Sequence, residues 1–99
     1  MRMLMNVKIP HQTFNAAVKD GSAGTKLAKI LETIKPEAAY FTLDNGERTG
    51  FFVFDMKDSS QMPPLAEDLF MVLGADLQLT PVMNADEMRS GLGAAMAQK

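Results

Sequence analysis

Met3, Met5, Val7 and Ile9 alternate with Arg2, Leu4, Asn6 and Lys8 at the start of the chain, and a period of two predicts a strand. Pro10 ends it, because proline has no amide to give a ladder. The period then lengthens. Phe14, Ala17 and Val18 fall at i, i+3 and i+4, one face of a helix. Asp20-Gly21-Ser22-Ala23-Gly24 interrupts that helix before Leu27, Ile30, Leu31 and Ile34 resume the stripe. Leu27 lies 13 positions after Phe14, so at about 100° per residue the two stripes are out of phase and the segment bends or restarts. Ser22 is placed to cap the restart.

Pro36 closes the second stripe. Ala38 to Leu43 reads as a strand, Asp44-Asn45-Gly46 as a hairpin turn and Gly50 to Met56 as the partner strand, since Asn and Gly both tolerate positive φ. Met62, Leu65, Ala66, Leu69, Phe70 and Leu73 then form a helical stripe. Pro63 and Pro64 sit in its first turn, where missing amides cost little, and Gly74 is placed to end it. Leu77 and Leu79 alternate with Gln78 and Thr80 in a fourth strand ending near Met83. Asn84-Ala85-Asp86-Glu87 has the spacing of a capping box. It predicts a short helix through Leu92, leaving residues 93–99 as a frayed tail.

The order strand, helix, strand, strand, helix, strand predicts one α+β domain over residues 1–99, a ferredoxin-like sandwich with a four-stranded antiparallel sheet and two helices on one face. The sheet itself adds a complication. In its third strand Phe51 and Val53 point one way while Phe52, Phe54 and Met56 point the other; in its second, Phe41 and Leu43 oppose Ala38 and Tyr40. Leu4 adds to the apolar surface from the first strand. Two helices cover one face only, and burying each large side chain is worth roughly 1.5–3 kcal/mol. Sheet-on-sheet pairing of two copies is the economical way to cover the other face. A tail folded over part of that face, or ordinary scattered surface apolar residues, is the plainer alternative.

Composition narrows the partners. The chain has 99 residues, 46% hydrophobic and 22% charged, with a formal net charge of −2. That balance disfavours nucleic acid and anionic membrane surfaces, both of which need excess Lys and Arg. The absence of cysteine excludes disulfides, iron–sulfur clusters and thiolate zinc sites. The opening residues are broken by polar positions and lack a small-residue cleavage site, so no signal peptide is expected and the cytoplasm is the default location.

Arg2-Met3-Leu4-Met5-Asn6-Val7, Ile9-Pro10-His11, Phe14-Asn15, Asp20-Gly21-Ser22-Ala23-Gly24, Leu31, Lys35-Pro36-Glu37-Ala38-Ala39-Tyr40-Phe41 and Ser60-Gln61 resemble a family of uncharacterised bacterial proteins within the dimeric α/β-barrel superfamily. The resemblance runs to about Leu92. It implies the ferredoxin-like fold and the homodimer but no particular activity. The wider superfamily includes cofactor-free monooxygenases, haem-degrading enzymes and muconolactone isomerase-like enzymes, and fold alone does not choose among them.

Candidate chemistry is sparse. His11, the only histidine, stands where the first strand gives way to helix; its near-neutral pKa suits a general base or a haem ligand, against the plainer reading of a solvated residue. Tyr40, the only tyrosine, with Asn6 and Lys8, supplies polar handles for an apolar cavity, unless its hydroxyl simply ends at a dimer interface. Asp55 follows an apolar run that would raise its pKa, although an Asp there more often caps the next turn. Gly21-Ser22-Ala23-Gly24-Thr25-Lys26 lacks phosphate-loop spacing. The first strand carries no aromatic residue for stacking bases, as an RNA-recognition motif requires. The nine methionines are mainly core filler, and Lys19, Lys26, Lys29 and Lys35 mark a solvated helix side. The expectation is a homodimer binding a small, largely apolar ligand, with Asn6, Lys8, His11 and Tyr40 as ligand-binding candidates and no metal or cofactor. The alternative is a cofactor-independent monooxygenase or isomerase using His11, Tyr40 or Asp55.

Overall fold

A computed structural model of the chain describes residues 1–98; Lys99, the last residue of the expected tail, lies outside the described residues. The elements are β1 (Arg2–Ile9), α1 (His11–Asp20), α2 (Ala23–Ile34), β2 (Ala38–Asp44), β3 (Glu47–Asp55), a 3-10 turn (Ser59–Gln61), α3 (Met62–Leu73), β4 (Asp76–Pro81) and α4 (Ala85–Ala97). They make an α+β structure whose four strands lie in the order β2-β3-β1-β4, every neighbouring pair antiparallel.

β1 is central, with β3 on one side and β4 on the other. Its period of two sorts the two faces. Met3, Met5, Val7 and Ile9 are buried with Phe52, Phe54 and Met56 of the β3 segment, under Phe14, Ile30, Ile34, Leu65, Leu69 and Leu73 of the helices. The opposite face carries Leu4, Asn6 and Lys8, whose register partners on β3 are Val53, Phe51 and Thr49. Tyr40 on this face is 69% exposed.

Local chemistry sets the joints. The break between α1 and α2 falls at Gly21, which ends α1 with φ of 83°, a left-handed conformation that suits glycine. Ser22 occupies the N-cap position of α2, but its side chain makes no capping bond; instead its amide donates to Asp20 Oδ1 at 2.8 Å. The buried stripe of α1 is narrower than its pattern. Phe14 and Ala17 are buried, whereas Val18 is 54% exposed. The hairpin turns on Asn45 and Gly46, with φ of 53° and 76°, the geometry of a two-residue primed turn. So tight a turn lets the ladder begin at the Asp44–Glu47 pair, three residues earlier than the apolar run at Gly50 implied. Gly74 closes α3 with φ of 59°.

Beyond β4 the chain leaves the body of the domain. The capping box forms: Glu87 donates its amide to Asn84 Oδ1, and Asn84 donates its amide to Glu87 Oε1, both at 2.8 Å. The helix it starts runs to Ala97, past the expected end at Leu92, because Ala94, Ala95, Met96 and Ala97 are strong helix formers. None of its residues is buried. The molecule is accordingly 59 Å long and 18 Å thin, with a radius of gyration of 16.3 Å, against about 13 Å for a compact chain of this size.

Gly50 offers a direct check on how the helix-side core is assembled. A Cβ added there would lie 2.9 Å from the Phe52 ring and 3.5 Å from the Phe41 ring. These two rings stack edge to face with centroids 5.6 Å apart. Gly50→Ala is expected to lower the unfolding free energy by about 1–3 kcal/mol through overpacking. Gly91→Ala, where a Cβ meets open space, costs nothing and raises the helix content. Urea denaturation and circular dichroism of the two variants decide it.

Candidate functional site

The five acid–base and polar-handle residues expected from sequence do not converge. His11 is the first residue of α1 and is exposed. Asp55 ends β3 and accepts a hydrogen bond from the N-terminal amine at 2.9 Å. Tyr40 and Asn6 do share the open sheet face, in one row across the strands: Tyr40 pairs with Phe51, and Phe51 pairs with Asn6. Phe51 stands between them, so at roughly 4.8 Å per strand they lie about 10 Å apart. Lys8, one row further, is tied to Asp44 at 3.0 Å.

Asp55 therefore has neither the environment nor the role expected of it. The hydrogen bond from the N-terminal amine, reinforced by that group's charge, holds its carboxyl below the usual carboxylate range. The capping of the following turn falls to Asp58, whose Oδ1 accepts the Ser60 amide at 2.8 Å, and whose pKa is lowered chiefly by that backbone bond. An exposed amine next to a carboxylate outweighs an apolar run that ends one residue earlier.

The open face combines Leu4, Phe51, Val53, Ala38 and Tyr40 with polar ends at Thr42, Lys8, Gln78 and Thr80. Asn6 Oδ1 is buried there without a hydrogen-bond partner among the described residues. A buried amide oxygen left unsatisfied costs of the order of 1–3 kcal/mol, which marks Asn6 as the unpaired polar group of this face.

Clefts lie elsewhere among the described residues. One of about 300 Å³ sits between α2 and α3, where Thr33, Gln61, Asp55 and Asp68 meet Phe54 and Leu65. Another, of about 380 Å³, is a shallow groove between α3 and β4 walled by Met62, Ala66, Phe70, Leu77 and Leu79. The third, of about 210 Å³, opens between the α1–α2 pair and the β2–β3 hairpin, with Ile9, Phe14, Leu27 and Phe41 as apolar walls and Arg48 and the threonines Thr42 and Thr49 beside them.

The third cleft contains the residue that the sequence reading passed over. Arg48 shares the register of Phe52 and Phe54, the face turned to the helices, and pairs with Ile9 and Leu43. Its guanidinium donates to Asn15 Oδ1 at 3.0 Å and lies 4.9 Å from the centre of the Phe14 ring. The signal was present in the alternation. Counting back by twos from Phe54 puts a permanent cation on the core side of a strand, where charge is costly without compensation. Among the described residues no group of three or more His, Asp or Glu side chains is arranged to hold a metal ion. No helix among the described residues is long and apolar enough to cross a membrane.

The depressed carboxyls fix a pH dependence. A carboxyl whose folded pKa is lowered contributes stability above its ordinary value, about 4, and that contribution is lost as pH falls through the lowered value. Carboxyl carbon NMR titration should find Asp55 and Asp58 both titrating below the usual range. Acetylating the N-terminal amine should return Asp55 toward its ordinary value and leave Asp58 where it was.

No family model, curated protein or solved structure matches the chain.

Proposed function

We propose that this chain is a homodimeric small-ligand-binding protein of the ferredoxin-like, dimeric α/β-barrel type, paired through the open face of its sheet and holding a small, largely apolar ligand between sheet and helices. Read from its other edge the strand order is β4-β1-β3-β2, with helices between β1 and β2 and between β3 and β4, and this supports the ferredoxin-like arrangement. The observation that carries the pairing is the uncovered sheet face itself. Leu4, Phe51 and Val53 occupy its two central strands and are only half-buried, and Asn6 Oδ1 lacks a partner among the described residues. A second copy would bury the apolar rows and offer polar groups to Asn6.

α4 supports self-association independently. A 13-residue helix with two glycines is marginal in water on its own, and Met88, Leu92 and Met96 lie along it at i, i+4 and i+8, 48–62% exposed. Such a stripe needs another surface, and a dimer supplies one. The ligand reading is supported by the cleft beside Phe14, Leu27 and Phe41. Its volume falls just below the roughly 300–1,000 Å³ of drug-sized pockets, which suits a small molecule. A catalytic role would need at least two of Asn6, His11, Tyr40 and Asp55 within hydrogen-bond reach, and the single chain keeps them apart.

Sedimentation velocity at micromolar concentration tests the pairing. The wild-type chain is expected at twice the 10.8 kDa protomer mass, and Phe51→Glu at the protomer mass with its circular dichroism retained. A wild-type protein that sediments as a single protomer overturns the pairing. Native mass spectrometry of the same preparation reports any retained small molecule.

A further inference from the structure

The ligand-holding cleft has a chemical bias that its apolar walls alone do not give. Arg48 projects from the core face of β3 toward α1, the side on which Phe14 and Asn15 lie. A guanidinium has five N–H donors, and among the described residues only one hydrogen bond uses them, to a neutral amide oxygen. The ion pairs formed among the described residues use Arg2, Lys8, Arg89 and the N-terminal amine. Arg48 has none. Its charge is met by a ring face and an amide, which orient the planar group without neutralising it.

Resting on the ligand-binding reading, we propose that this cleft takes a small amphiphilic monocarboxylate, its apolar body between Phe14, Leu27 and Phe41 and its carboxylate on the Arg48 guanidinium. The geometry points to this class for three reasons. The walls Ile9, Phe14, Leu27 and Phe41 offer only hydrocarbon surface to the body of a ligand. The hydrogen bond between Arg48 and Asn15 is exposed, so a ligand's charged end stays near water while its apolar end enters the cleft. Arg48 is the single cation among the lining residues, which matches one negative charge. A phosphate dianion would keep part of its charge unmet. The planar fork of donors fits a carboxylate in two-point fashion. Asn15 is a positioning residue: its Oδ1, engaged by Arg48, fixes the tilt of the guanidinium over Phe14.

The test compares an acid with its neutral isostere on the intact protein. In calorimetric or NMR titrations, wild type is expected to bind 3-phenylpropanoate at least about tenfold more tightly than 3-phenylpropanamide. Shift changes should centre on Phe14, Leu27 and Phe41. Arg48→Met, which keeps the stem and removes the charge, should bind the two equally; Arg48→Lys should retain part of the preference. The wild-type comparison needs no variant, so a variant that fails to fold does not weaken the test. Equal wild-type affinity for acid and amide at this cleft overturns the carboxylate inference and leaves the ligand-binding reading standing. Binding of neither probe, or binding that perturbs the open sheet face instead, overturns both.

Discussion

Everything in this molecule depends on the strict alternation of β1 at the centre of the sheet. Met3, Met5, Val7 and Ile9 each lose nearly all contact with water, Met5 completely. They do so because β1 has a neighbour on both sides and α1, α2 and α3 on one face. With a side-chain period of two, a slip of one residue would put Arg2, Leu4, Asn6 and Lys8 under the helices and all four core residues outside. The penalty for that exchange fixes the register with β3 and β4 together. Once it is fixed, each residue of β2, β3 and β4 belongs to a known face.

Two consequences follow from that assignment, one for each face. On the open side, the residues are a mixture: aliphatic and aromatic groups on the central strands, polar groups at the ends, and an amide oxygen without a hydrogen-bond donor among the described residues. On the helix side, the same rule that buries Phe52 and Phe54 forces Arg48 inward as well. The chain manages this by placing Arg48 at the hairpin end of the sheet, where α1 begins, so that the stem lies against Phe14 while the guanidinium remains near water. The next residue on that face, Gly50, leaves room for the Phe52 ring, which packs edge to face on Phe41, and Phe41 in turn walls the cleft beside Arg48.

α4 is the part of the structure least explained by the domain core. Its capping box and the Arg2–Glu87 ion pair secure its first turn, while its Met88, Leu92 and Met96 stripe stays exposed. Propensity from the alanines extends it and glycine at 91 and 93 weakens it.

The sequence by itself determined the elements, because each is set by local chemistry: period two in β1, helical stripes in α2 and α3, the Asn45-Gly46 turn, Gly21 and Gly74 as stops, and the capping box at Asn84. It also determined that large apolar residues stand on both faces of the sheet. It did not determine which polar residues meet, since that is a matter of strand order and of distance across strands. His11, Tyr40 and Asp55 are conspicuous as residue types, and they end up exposed or in an ordinary ion pair because tertiary placement gave them no shared cavity. Arg48 is inconspicuous as a residue type and acquires its environment only when β3 is docked between β1 and β2 with α1 folded across it. Alternation is written along the chain, whereas a site is a convergence of distant segments, and only the packed sheet and helices bring those segments together.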